Sequence, residues 1–188
     1  MTAQTYAWER DDEGRGHSFA RVEEHPAGWT VHGTEVLVGE ETLACTFRVR
    51  LDPDWHTREV EVAAVDASGE RRLVLGASDG RWEVDGVYDP GLDGCVDVDV
   101  AATPLTNAFP IRRLASLPPG ESRTSPVAWV EVPSLRVRRV DQTYQRLSPA
   151  ANGGAQWEYG DPDHGTFRLT VDEGGVVIDY EGFARRIG

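Results

Sequence analysis

A two-residue alternation of apolar and polar side chains runs through most of this chain and leaves little room for anything but a sheet fold. In the stretch 41–52, Leu43, Cys45, Phe47, Val49 and Leu51 face one way, while Thr42, Thr46, Arg48 and Arg50 face the other. The turn Asp52-Pro53-Asp54 follows, and Arg58 to Val62 resumes the alternation, which predicts a hairpin. Further strands are expected at 29–38, 71–77, 95–101, 111–117, 126–132, 135–146, 165–172 and 175–180. Glycine- and proline-containing turns separate them. No segment sustains a 3.6-residue apolar period over three turns. Helix is therefore expected only in one or two short pieces, one opened by Thr103-Pro104 and stopped before Pro110. The reading is an all-β, many-stranded antiparallel barrel-like fold.

The 188 residues fit a single domain, 1–188, able to bury a substantial core. Asp79-Gly-Arg-Trp-Glu83 is echoed by residues 153–158, which suggests two β-meander halves at about 17–102 and 124–180 with the 103–117 segment between them. The net charge of −13 argues against nucleic acid as a partner, because binding to phosphates requires cationic neutralisation. No apolar run is long enough to span a membrane. The first residues contain no apolar leader region, so the expected location is the cytoplasm, with Cys45 and Cys95 as free buried thiols.

Chemistry concentrates between Gly94 and Leu114. On a strand, Asp97 and Asp99 share a face and their Cα atoms lie about 6.8 Å apart. Three readings remain open for them: structural ion pairs with arginines such as Arg112, Arg113, Arg136, Arg138 or Arg139; recognition of a polar ligand; or an acid–base pair. Thr106 and Asn107 either bond to their own turn or present an amide at a barrel mouth. Six tryptophans are many for this length. Trp129 is expected in the core and Trp55, just after a turn, at a rim where it could line a pocket. Gln142 and Tyr144 share a strand face and could add a hydrogen-bonding edge to that wall. The five histidines have no metal-ligand spacing, and Asp161-Pro-Asp-His-Gly165 lacks the distal glutamate of a calcium loop, so no metal is expected. No phosphate-binding glycine loop, dinucleotide fingerprint or nucleophile elbow occurs, so no cofactor is expected either.

The run GCVDVDVAATPLTNAFPIRRL, with VAWVEVPSLRVRRVDQTYQRL further on, resembles a family of bacterial proteins described as glycolipid-binding. Asp54-Trp-His-Thr-Arg58, Asp79-Gly-Arg-Trp82 and the ending VDEGGVVIDYEGFARR extend the likeness over most of the chain. The resemblance implies a barrel-like fold similar in outline to bacterial lipoprotein carriers with a hydrophobic cavity. The expected function is non-catalytic binding of a lipid or glycolipid-like small molecule. Apolar strand faces would hold the acyl part, with Trp55, Asp97, Asp99, Asn107, Arg112, Gln142 and Tyr144 as candidate ligand-binding residues. The alternatives are an enzyme acting on a glycosylated or acyl substrate through Asp97 and Asp99, and an intracellular protein-interaction module.

Overall fold

The computed structural model describes residues 2–10, 15–39, 42–150 and 153–188. Strands dominate: β1 (Ala3–Arg10), β2 (Arg15–His25), β3 (Gly28–Val38), β4 (Leu43–Leu51), β5 (Thr57–Asp66), β6 (Gly69–Ser78), β7 (Arg81–Val84) and β8 (Val87–Tyr88) form a first run. After β9 (Asp97–Val100) comes α1 (Ala108–Arg113). A second run follows: β10 (Ser122–Val130), β11 (Val137–Pro149), β12 (Ala155–Asp161), β13 (Gly165–Val171), β14 (Val177–Tyr180) and β15 (Ala184–Arg186). The strands join in one sheet, ordered β8-β7-β6-β5-β4-β3-β2-β1-β15-β14-β13-β12-β11-β10-β9. The neighbours are antiparallel except β9, which runs parallel to β10.

The sheet's β9 end returns to the first run. Val98 N–H donates to Thr57 Oγ1 (3.0 Å), Thr57 N–H to the Val96 carbonyl (3.3 Å), and Gly94 N–H to the Gly80 carbonyl (2.7 Å). Trp82 Nε1 donates to the Cys95 carbonyl at 2.9 Å. The body thus closes through side chains and turns rather than through a continuous ladder.

The alternation in β4 is followed without exception, with Leu43, Cys45, Phe47, Val49 and Leu51 buried. Opposite Phe47 stands Gly33, where a Cβ would overlap the ring, so the glycine is what admits it. These inward faces pack on one another in a large apolar cluster with Trp8, Leu75, Trp82 and Phe109. The strand faces expected to enclose an acyl chain are occupied by each other. A smaller cluster gathers Ile111, Tyr144, Trp157, Tyr159, Leu169 and Val177. Helix α1 lies between the two, with Phe109 in one and Ile111 in the other.

Three expectations need correction. Residues 111–117 are not a strand: Ile111 belongs to α1, and the chain then turns. The helix does not stop before Pro110 but contains it at its third position, where the missing N–H removes no helical bond. Trp129 is only partly buried: it stands opposite Asp99 of β9, and the Arg138 guanidinium covers its ring at 4.4 Å. No helix among the described residues is long and apolar enough to cross a membrane.

Candidate functional site

Both aspartates of β9 turn inward, and neighbours already hold them. Arg113 forks onto Asp97, with Nη1 and Nη2 each 2.5 Å from a carboxylate oxygen, and its Nη1 also donates to the Trp55 carbonyl at 3.2 Å. Asp99 accepts from Thr106 Oγ1 at 2.7 Å and from Gln142 Nε2 at 2.6 Å. Burial pushes both carboxyls above the ordinary range, opposed at Asp97 by Arg113 and at Asp99 by Thr106 and Gln142. Gln142 also donates to the Tyr159 hydroxyl (3.0 Å), which donates to Asp161 (2.8 Å). Tyr144 donates to Asn107 Oδ1 at 2.9 Å, and Asn107 Nδ2 to the Pro104 carbonyl at 3.3 Å. Asp99, Asn107, Gln142 and Tyr144 therefore come together in one buried network, with Asp97 fixed beside it. The geometry favours a structural reading of both acids: Asp97 is ion-paired, with Arg113 rather than Arg112 as the partner, whereas Asp99 is held by the neutral Thr106 and Gln142.

A cavity of about 200 Å³ borders this network, lined by Asp99, Asn107, Trp129, Tyr159, Asp161, His164 and Phe183 among others. Its polar groups are largely satisfied from within. Asp161, for example, accepts the N–H groups of Asp163 and His164 (both 2.9 Å) as well as the Tyr159 hydroxyl.

A second cavity, of about 370 Å³, is lined from α1 by Ile111 and Arg112. Trp55 and Arg112 form one wall. Trp55 is 9% exposed rather than at a rim, because its backbone takes a left-handed φ of 67° that turns the ring inward. The ring packs 4.5 Å from Trp29 and carries the Arg112 guanidinium at 4.0 Å. Two double-glycine turns, at Gly153-Gly154 and Gly174-Gly175, form the opposite lip. Gly175 has φ 78°, and a Cβ there would press on Arg112 Cγ at 3.0 Å, so the glycine lets α1 approach. Ile111, Ala115, Ala155 and Val171 give the cavity an apolar side, and Arg146, Trp157, Asp172 and Glu173 a polar one. Arg146, Trp157, Asp172 and the glycine pairs were not among the expected site residues. In the sequence, Arg146, Asp172 and Gly174-Gly175 are marked only by membership of the resembling runs, and Gly153-Gly154 and Trp157 only by the echo of Asp79–Glu83.

The scattered motifs meet here. Asp54-Trp-His-Thr-Arg58 supplies Trp55 to the cavity and Thr57 to the β9 closure. The segment around β11 brings Gln142, Tyr144 and Arg146, and the C-terminal motif brings Asp172 and Gly174-Gly175. Asp52, Asp54 and His56 lie close enough to hold an ion, but Asp52 Oδ1 already accepts two backbone N–H groups and Oδ2 the Arg58 guanidinium.

A family model described as "Putative glycolipid-binding" matches residues 5–186. The chain belongs to this family. It is similar to a DUF1089 family protein from Pseudomonas aeruginosa of solved structure, at 32% identity and a TM-score of 0.78, covering 90% of this chain and 92% of that one. It also shares its fold with a β-barrel-like protein of domain of unknown function DUF1849 from Brucella abortus, at 12% identity and a TM-score of 0.60, over 98% and 94% of the two chains. No curated protein matches.

Proposed function

We propose that this chain is a non-catalytic binding protein for a glycolipid-like amphiphile, whose head group enters the cavity between α1 and the two double-glycine turns. The observation that carries the reading is the cavity's wall, an arginine stacked on an indole beside an apolar strip, which offers a flat face and donors together. The family description supports the ligand class. At about 370 Å³ the cavity suits a head group and the first carbons of a chain, near the lower end of the roughly 300–1,000 Å³ of small-molecule sites. The rest of the lipid stays outside, since the inward strand faces are filled. An enzyme built on Asp97 and Asp99 has less support, because Asp97 is held by Arg113 and Asp99 by Thr106 and Gln142.

Calorimetric melting with octyl glucoside tests the reading. Ligand at about a hundred times its Kd adds about 2.7 kcal/mol, which raises Tm by about 5–10 °C for a chain of this size. Ala115→Trp, at the exposed lip, plugs the mouth and removes the shift while leaving the unliganded Tm nearly unchanged. A wild-type Tm indifferent to glycoside and to other amphiphiles refutes the proposal.

A further inference from the structure

We infer that the α1 cavity recognises an acidic head group, an oxyanion such as a carboxylate or phosphate. The amphiphile that carries it is the one proposed above, and the inference rests on that reading only for this carrier. Arg112 Nε, Arg146 Nε and Trp157 Nε1 are buried and have no hydrogen-bond partner among the described residues, and all three residues line this cavity. Each of these atoms can only donate, so what they lack is an acceptor. Buried polar groups are almost always satisfied, so three unmet donors around one cavity indicate a missing acceptor there.

The surroundings show that the shortage is local. Trp82 occupies the matching place in the echoed motif of the first run, and its indole N–H has its acceptor, the Cys95 carbonyl at 2.9 Å. Trp157 is 1% exposed and has none. The charges tell the same story. In a chain of net charge −13, Arg113, Arg138, Arg139, Arg185 and Arg186 each reach a carboxylate. Arg146 has only the carbonyls of Ala115 and Leu117, at 2.6 and 3.0 Å, and neither it nor Arg112 forms an ion pair among the described residues. The nearest acid, Asp172, is already engaged, with Oδ2 on Arg186 at 2.5 Å and Oδ1 on the Val176 N–H at 2.9 Å. Glu173 stands exposed at the lip beside Gly153. A guanidinium offers planar, paired N–H groups that match an oxyanion, and burial beside Trp55 strengthens the attraction.

Isothermal titration of the full chain with octyl glucuronide, octyl glucoside and inorganic phosphate tests this, since the two glycosides differ only in a carboxylate. The glucuronide should bind at least tenfold tighter than the glucoside. Arg112→Gln and Arg146→Gln, checked for native near-ultraviolet dichroism, should each reduce that ratio toward one. Equal affinity of the wild type for both glycosides overturns the acidic head group and leaves amphiphile binding standing, whatever the variants do. Phosphate binding without either glycoside supports the oxyanion site and overturns the amphiphile reading. Absence of binding by all three overturns both.

Discussion

Replacing Glu35 by Gln should stabilise the protein, and by an amount that grows with pH. Glu35 lies on β3 with its side chain wholly buried among Ser18 of β2, Cys45 of β4, Thr103 and Arg10. One carboxylate oxygen accepts from the Ser18 hydroxyl, and the other, Oε1, has no partner among the described residues. Desolvation is the largest influence and lifts its pKa from 4.5 to about 8, against the opposing pull of Ser18, Thr103 and Arg10. The folded protein therefore keeps a proton that the unfolded chain releases. The stability that comes with that proton is complete below about pH 4.5 and is lost as pH rises through about 8. At 1.36 kcal/mol per unit, the loss at pH 7 is about 3 kcal/mol. Glutamine keeps the shape and an acceptor for Ser18 without the titration. Urea unfolding of both proteins between about pH 5 and 8 reads the difference, which should widen by about 1.4 kcal/mol per pH unit until it levels off. Any fixed cost of the altered hydrogen bonds shifts the whole difference but leaves its slope. Two parallel stability–pH curves would refute the argument, since they would show that Glu35 takes up no proton on folding.

Arg113→Met leaves Asp97 buried without its partner and should cost about 3–5 kcal/mol in urea unfolding, with Asp97→Asn in the same chain restoring most of it. A single-variant cost near zero would remove the ion pair from the account of the β9 closure. Burial raises the Cys45 thiol to about 12 and the Cys95 thiol to about 11. Neither should react appreciably with Ellman's reagent in the folded protein at mildly alkaline pH, and both should react once guanidinium unfolds it. Reaction of either thiol at a free-thiol rate before unfolding contradicts the packing described.

Where strands bury large residues on one side, the sequence pattern and the structure coincide, as β4 shows. Where they do not, the strand is hidden. In β2 the inward positions are Ser18, Ala20 and Val22, while Phe19 faces solvent at 47% exposure, so the usual contrast between faces is weak and in part reversed. Ser18 can face inward only because Glu35 on the next strand receives its hydroxyl, a pairing visible in three dimensions alone. In α1 the signal was present but short: Ile111, Leu114 and Leu117 are spaced by three, which fits a helical turn better than a strand, yet six residues are too few to establish a period. Pro110 looked like a stop because a proline inside a helix breaks it, whereas in the first turn it does not.

The site divides along the same line. Asp97, Asp99, Asn107, Gln142 and Tyr144 stand out in the sequence because polar residues inside apolar strands must find partners, and they find them in one another and in Arg113. That satisfaction weakens their claim to a ligand. Trp55 and Arg112 keep theirs, because the indole and guanidinium stack at the wall of an open cavity. Arg146 and Trp157 could not be singled out in advance: a sequence shows that arginines exist among many acids, but only the fold shows that Arg112 and Arg146, without an ion pair among the described residues, line the same cavity. A ligand site in such a protein is marked less by unusual residues than by ordinary ones whose hydrogen bonds the chain does not complete. By that measure the proposed ligand site is the cavity on the Arg112 side of α1, whose wall Asp97 holds through Arg113 and its bond to the Trp55 carbonyl.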